Sequence, residues 1–162
     1  MSVQLERGFL LAKGHLLTPN WSQFNLKYMP DSVDPRRLRI TNDAGTDGTL
    51  IGYRCNDCDV TVFGPATFCQ SCTSFEVEPV DLGGSGTLYS YTIVRIPPAG
   101  WPGQVPYILG QVELPSGPQV LAEVIDCEQS HLAIGMPVEL AIRPVASEEG
   151  GAEKLVYKWR PV

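Results

Sequence analysis

Four cysteines in two closely spaced pairs constrain the fold of this chain more than any other feature. Cys55 and Cys58 form the first C-x2-C pair, ten residues follow, and Cys69 and Cys72 form the second pair. Two residues between thiols let the backbone turn so that both sulfurs face one point, and two such pairs can surround one metal ion tetrahedrally. The spacing therefore predicts a four-thiolate metal site in a rubredoxin-like zinc ribbon.

The fifth cysteine, Cys127, stands apart from the quartet. An odd number of thiols disfavours a disulfide framework, and the clustering of the other four favours a metal. A closed four-cysteine site leaves no coordination position for a substrate, so we expect structural Zn2+. Iron in the same cage, which would make the chain an electron-transfer protein, is the alternative. Because about thirty residues bury too little apolar surface to fold alone, the metal should hold the ribbon folded.

Composition limits both the architecture and the partners. The 162 residues are 43% hydrophobic and 19% charged, with 16 glycines and 14 prolines. Such a chain can bury a core but has little room for long helices. Its net charge of −6 argues against nucleic acid and acidic membranes as partners. No apolar run reaches the roughly 20 residues that span a bilayer, so we expect a soluble, cytoplasmic protein.

Residues 82–162 show the pattern of a small β-barrel. Five short segments rich in β-branched and aromatic residues are each bounded by glycine or proline turns. A turn at Ser130–Gly135 separates the third segment from the fourth. This pattern favours a five-stranded OB-fold barrel, with an SH3-like barrel or a small sandwich as alternatives. The predicted strands are Leu88–Ile96, Tyr107–Leu114, Gln119–Cys127, Val138–Ile142 and Leu155–Arg160.

The segment before the cysteines is the least regular. Leu5, Phe9 and Ala12 lie at helical spacing, which predicts a short N-terminal helix. After Gly14, an irregular stretch carries large apolar side chains that must dock on the rest of the chain or, as we favour, on a partner. These side chains are Leu16, Leu17, Trp21, Phe24, Leu26, Tyr28 and Met29. The predicted organisation is thus mainly β: a helix and partner-docking arm at 1–50, a ribbon at 51–81 and a barrel at 82–162.

Catalytic signals are weak in this sequence. It has no glycine-rich phosphate loop, no nucleophile elbow and no recognisable pair of catalytic carboxylates. His131 lies in a turn and is interpreted as a surface residue. Cys127 ends a predicted strand and is interpreted as a small buried hydrophobe rather than a nucleophile. The chain alone is therefore predicted to be non-catalytic.

Two other groups of residues are candidate contact sites. Arg36, Arg37 and Arg39 form the one basic cluster, which could hold an acidic partner or phosphates but is interpreted as a solvated face. Aromatic residues on the barrel could stack nucleic-acid bases, yet they have few cationic neighbours, so a partner interface or ligand rim suits them better. Strand alternation places Tyr89 and Tyr91 on one face. The stiff loop Ile96–Pro106 resembles a docking element. The aromatic residues are Tyr89, Tyr91, Trp101 and Tyr107.

The order of these motifs resembles the zinc-ribbon/OB-fold family of acyl-CoA-associated proteins. The quartet is followed by Gly86–Arg95, Pro106–Gly110, Ile134–Val138 and Tyr157–Pro161, so the resemblance covers residues 50–162. It implies an N-terminal helix, a rubredoxin-like ribbon and an OB barrel, and it matches the quartet to the family's metal ligands. One departure is that Asp59 and Thr73 follow the cysteine pairs where ribbons often have glycine, so we expect less regular turns there.

The resemblance also implies a function. Members of the family assemble as small subunits with thiolase-like enzymes or hydratases that act on coenzyme A thioesters. It implies a non-catalytic zinc-binding subunit of a thiolase-type acyl-CoA acyltransferase complex, which supports assembly and access of the CoA thioester. A thiolase of anaerobic aromatic degradation, such as the one that cleaves 2-benzoylsuccinyl-CoA, is a candidate partner. The alternatives are an accessory subunit of an acyl-CoA hydratase and an OB module that binds single-stranded nucleic acid.

Overall fold

A computed structural model describes residues 31–101, 103–145 and 154–162. No helix among these residues has the length and apolar character needed to cross a membrane. The predicted N-terminal helix and the apolar stretch at 16–29 lie outside the described residues. The described residues form ten strands and a 3-10 helix, Gln129–His131: β1 Asp31–Ser32, β2 Leu38–Ile40, β3 Gly48–Cys55, β4 Thr61–Phe63, β5 Val77–Gly83, β6 Ser85–Val94, β7 Tyr107–Glu113, β8 Gln119–Val124, β9 Pro137–Val145 and β10 Lys154–Pro161.

Strands β6 to β10 close into a five-stranded barrel. β6 pairs with β7, β7 with β8, and β9 with both β6 and β10, all antiparallel. A parallel pairing between β10 and β8 completes the ring. Each predicted strand has an observed counterpart, and the closed five-stranded topology confirms the predicted OB fold.

Trp159 occupies the closure of this barrel. It pairs with Leu140 on β9 and with Val124 on β8, and its carbonyl accepts a hydrogen bond from the Ile125 N–H at 2.8 Å. The side chain is 0% exposed and belongs to the core. The last strand therefore both supplies the largest core side chain and joins the two open edges of the barrel.

A β-bulge in β6 interrupts the alternation that predicted a shared face for Tyr89 and Tyr91. The register shifts between Leu88, which pairs with Val112, and Ser90, which pairs with Gln111. Tyr89 is the extra residue in this bulge, so the two tyrosines are no longer related by simple strand alternation. Both side chains are nevertheless exposed.

The second sheet is built around β3. Strands β2 and β4 pair with one edge of β3, and β5 pairs with the other. The turn between β2 and β3 is held by Asn42, whose side-chain oxygen accepts hydrogen bonds from the N–H groups of Thr46 and Asp47 at 3.0 and 3.2 Å. The turn-rich stretch in the sequence is therefore a hairpin loop that leads into the ribbon.

The ribbon sheet and the barrel share one hydrophobic core. Leu38, Leu50 and Leu82 from β2, β3 and β5 belong to the same buried cluster as Leu88 and Trp159 of the barrel. Because these leucines are buried against the barrel, the cysteine-free end of the ribbon is held by apolar contacts that do not depend on a metal.

Residues 31–50, which the sequence assigns to the arm, are part of the two sheets. β1 pairs in parallel with β10, and β2 pairs with β3. The predicted boundaries at 50/51 and 81/82 fall inside β3 and β5. The division of the chain into an arm, a ribbon and a barrel at these two boundaries therefore stays a prediction.

Candidate metal centre

The four cysteines of the two C-x2-C pairs converge at the end of the ribbon away from the barrel core. Their Sγ atoms all lie within 4.8 Å of one another. Sγ of Cys55 lies 3.5 Å from that of Cys72, and Sγ of Cys58 lies 3.5 Å from that of Cys69. A tetrahedral zinc ion with Zn–S bonds of about 2.3 Å places its sulfurs about 3.8 Å apart. The soft donor set and its spacing therefore fit a four-thiolate zinc site.

The two cysteine turns have the same backbone geometry. The N–H of Asp59 donates to the Cys55 carbonyl at 3.0 Å, and the N–H of Thr73 donates to the Cys69 carbonyl at 2.9 Å. Asp59 and Thr73 both have left-handed backbones, with φ of 60° and 63°. The two turns are equally regular, so the expectation of less regular turns is wrong. Closure of each turn holds a non-glycine residue in a left-handed conformation that glycine adopts more easily.

Backbone amides favour ionisation of one thiol of the quartet. The N–H groups of Cys72 and Ser71 donate to Sγ of Cys69, and they lower the pKa of this thiol to about 6 despite its burial. At Cys72 the N–H of Ser74 acts in the same direction, but the neighbouring thiols, with partial desolvation of this otherwise exposed residue, outweigh it and raise the pKa to about 12. Two thiols of the quartet thus have pKa values shifted in opposite directions, and a bound cation would favour the thiolate form of all four.

Hydrogen bonds outside the quartet join the two turns. The N–H of Asn56 in the first turn donates to the Glu76 carbonyl at 2.8 Å. The Ser74 hydroxyl, just after the second turn, donates to the Asp57 carboxylate in the first. These contacts cross the site from one pair to the other, so they orient both pairs toward one point.

Replacing Thr73 with glycine is expected to stabilise the ribbon. A β-branched residue at positive φ carries strain of about 1–2 kcal/mol, and the greater freedom of glycine in the unfolded chain offsets part of the relief. We expect a net gain of up to about 1 kcal/mol in the free energy of unfolding, measured by denaturant titration of the metal-loaded protein. Thr73→Ala, which keeps a Cβ, is the control, and equal stability of the two variants would contradict the strain argument.

Each arginine of the basic cluster is paired with a nearby carboxylate. Arg36 and Arg37 contact Asp34 at 3.0 and 3.2 Å, and Arg39 contacts Asp81 at 2.8 Å. The hydrogen bond from Arg36 lowers the pKa of the Asp34 carboxyl. These pairs are partly or largely exposed, in keeping with a solvated face rather than a phosphate site.

The remaining candidates lie apart from the quartet. Trp101 stacks on Tyr107 with ring centroids 4.4 Å apart, so each ring already uses one face. His131 is exposed at the end of the 3-10 helix, which confirms its interpretation as a surface residue. Cys127 is half-buried and packs against the core, consistent with a small hydrophobe.

One surface feature of the site was missed by sequence reasoning. Phe68 and Phe75 flank the second cysteine pair, their ring centroids lie 6.4 Å apart, and both rings are exposed. Their position in the sequence is the signal that could have identified them, because each phenylalanine lies within three residues of a cysteine of the quartet.

Family comparisons match both parts of the described structure. Residues 43–78 match the family described as ChsH2, rubredoxin-like zinc ribbon domain. Residues 79–143 match the family described as ChsH2, C-terminal OB-fold domain. Among solved structures, the chain is similar to a chain of the "Ltp2-ChsH2(DUF35) aldolase", with 26% identity and a TM-score of 0.56, covering 70% of this chain and 84% of that one.

Curated relatives agree with these matches. A DUF35 domain-containing scaffold protein of Methanocaldococcus jannaschii is 31% identical over 115 residues, which are 70% of this chain and 82% of the relative. Benzoylsuccinyl-CoA thiolase subunit BbsA of Thauera aromatica is 32% identical over 123 residues, or 74% and 83% of the two chains. A probable enoyl-CoA hydratase alpha subunit of Thermomonospora curvata is 31% identical over 99 residues, 60% of this chain and 30% of the relative. The chain therefore belongs to the DUF35 family, and it combines a rubredoxin-like zinc ribbon with an OB-fold domain.

Proposed function

We propose that this chain is a non-catalytic, zinc-binding subunit of a thiolase-type acyl-CoA acyltransferase complex. The observation that carries the proposal is the match to a protein named as a benzoylsuccinyl-CoA thiolase subunit over 83% of its length. Relatives named as scaffold proteins and the similarity to a chain of an aldolase complex support the broader assignment to an accessory subunit. The catalytic nucleophile and base would come from the partner, and the CoA thioester would bind at the interface.

We further propose that Cys55, Cys58, Cys69 and Cys72 are the zinc ligands. When bound, the ion supplies a cross-link among four points of the chain and no open coordination position. The amide donors around Cys69 prepare one thiolate in advance, and the bonds from Asn56 and Ser74 hold the two turns together. This arrangement supports a structural role that keeps the end of the ribbon rigid.

Co-purification tests the assignment to a complex. The full chain, tagged and expressed in its native host, should retain a thiolase-like protein that mass spectrometry identifies. The purified complex should transfer or release acyl groups from acyl-CoA, and neither subunit alone should match its rate. The hydratase relative motivates the competing outcome. Recovery of a hydratase in place of a thiolase would favour that alternative, and a partner-free monomer would contradict both.

The nucleic-acid alternative makes a separate prediction. An OB module for single strands would bind them with strong salt dependence, because phosphate contacts dominate such affinity. With a net charge of −6, the chain is expected to give no retention of single-stranded DNA or RNA in a filter assay at low salt. Retention that falls as salt rises would instead support the nucleic-acid module.

Zinc affinity is expected to fall as the pH is lowered. The pKa values of Cys58 and Cys72 are raised, that of Cys72 to about 12, so each thiol must release a proton to become a ligand and each should lower the affinity about tenfold per pH unit. Below about pH 6 Cys69 also becomes protonated, because its pKa is lowered to about 6, and the dependence should steepen. Competition with a chromophoric chelator at several pH values measures this slope, and a pH-independent affinity would contradict thiolate ligation.

A further inference from the structure

The end of the ribbon carries an exposed pair of aromatic rings. Phe75 is 79% exposed and Phe68 is 45% exposed, and their rings are tilted against each other at 6.4 Å. Neither ring is part of the hydrophobic core or packs against it among the described residues. We call Phe68, Phe75 and the neighbouring carboxylates of Asp57 and Glu76 the phenyl tip. Neighbouring exposed rings of this size commonly mark a contact surface.

The backbone of the phenyl tip is fixed by the metal-binding turn. Phe68 directly precedes Cys69, whose N–H donates to the Ser74 carbonyl at 2.7 Å. Phe75 follows Ser74, and its own carbonyl accepts the N–H of Val77 at 2.9 Å, at the start of β5. The two rings are therefore presented by a hydrogen-bonded loop, so binding through them costs little backbone entropy.

The border of the phenyl tip is negatively charged. Asp57 accepts a hydrogen bond from the Ser74 hydroxyl, and Glu76 is the next residue after Phe75. Neither carboxylate makes an ion pair within the part of the chain that the structure describes. The nearby Arg54 is committed to Glu78 at 2.9 Å and Asp59 at 3.8 Å. Four thiolates around Zn2+ would add a further charge of about −2.

We propose that the phenyl tip inserts into an apolar pocket bordered by lysine or arginine on the catalytic subunit of the complex. This inference rests on the proposed function and adds the surface and the chemistry of the contact. Apolar rings need a desolvated pocket, and the uncompensated carboxylates favour a cationic border. Anionic lipid and nucleic acid would be repelled, and a second copy of the chain would bring the same negative charge.

Binding measurements with the catalytic subunit recovered in the co-purification test this surface. The variant Phe68→Ala with Phe75→Ala is expected to raise the Kd about 100-fold or more, as for paired aromatic hot spots. Asp57→Asn with Glu76→Gln should raise the Kd at low salt and flatten its dependence on salt. Ile134→Ala, at a residue that is 69% exposed on a barrel turn, is the matched control and should leave the Kd unchanged.

Zinc content and hydrogen–deuterium exchange keep the result interpretable. Because both rings are exposed, the double alanine variant should retain stoichiometric zinc, and the wild-type complex should show protection at residues 68–76. If the zinc-loaded variant binds as wild type, or if protection is confined to the barrel, the phenyl tip is not the docking surface although the proposed function stands. If the wild-type chain binds no CoA-thioester enzyme, the proposed function fails and this inference falls with it. Self-association of the free chain that the alanine variant abolishes would assign the tip to a second copy and overturn the proposal.

Discussion

Cys69→Ser is expected to release zinc and to abolish assembly with the catalytic subunit. Cys69 is 5% exposed, and its sulfur is the one whose pKa is lowered to about 6 by the N–H groups of Cys72 and Ser71. A serine hydroxyl does not ionise near neutral pH and is a poor zinc ligand, so the site loses its best prepared donor. Structural zinc contributes about 10–16 kcal/mol to the folding of small zinc domains, so loss of the ion should unfold the segment that depends on it.

The shared core sets the limit of that unfolding. Leu50 and Leu82 anchor β3 and β5 to the barrel, and this anchor remains when the metal leaves. Exchange protection should therefore be lost at residues 55–76 and kept in the barrel, a narrower region than the whole predicted ribbon. Elemental analysis and hydrogen–deuterium exchange measure the two effects, and treatment of the wild type with a chelator should reproduce them.

Cys127→Ser provides the control for loss of a thiol. Cys127 is half-buried and lies outside the quartet, so this variant should keep its zinc and its partner. A Cys69→Ser protein that kept stoichiometric zinc and assembled normally would contradict the structural role of the metal. Loss of zinc with normal assembly would instead show that the end of the ribbon is dispensable for docking.

The part of the candidate metal site that depends on short stretches of sequence could be predicted. Two residues between thiols and ten between the pairs are enough to predict convergence of the four sulfurs, because each turn is set by its own short segment. The left-handed backbones at Asp59 and Thr73 were not predicted, because the local hydrogen bond that closes each turn overrides the backbone preference of these residue types. Exposure of Phe68 and Phe75 depends instead on which side of the ribbon the barrel covers.

The same distinction between local and distant contacts decides which parts of the fold could be predicted from the sequence. The five barrel strands were predictable because glycine and proline turns bound each of them. The pairing of β2 with β3 and the burial of Leu38 and Leu50 were not, because they depend on contacts with distant barrel residues. The bulge at Tyr89 inserts one residue into an otherwise alternating strand, and nothing in the local sequence distinguishes it from regular pairing.

Trp159→Ala is expected to lower the free energy of unfolding by about 3–5 kcal/mol, the usual cost of emptying a large aromatic site in a core. Trp159 is 0% exposed and lies where β10 joins β8 and β9, so the cavity would open at the closure of the barrel. A domain of this size is stabilised by about 5–15 kcal/mol in total, so the variant should be marginally folded at 37 °C. Trp101→Ala removes the same side chain from a partly exposed stack on Tyr107 and should cost about 1 kcal/mol.

Trp159→Phe separates the volume of the side chain from its hydrogen-bonding group. The indole Nε1 is buried and makes no hydrogen bond among the described residues, so phenylalanine removes a donor that gains nothing from burial. The penalty for leaving such a donor unpaired, about 1–3 kcal/mol, should offset much of the lost packing, and this variant should unfold within about 1–2 kcal/mol of wild type. Urea titration of the zinc-loaded proteins measures the series. If phenylalanine proved as destabilising as alanine, the indole N–H would have a bonding partner, and the barrel closure would depend on that bond rather than on packing.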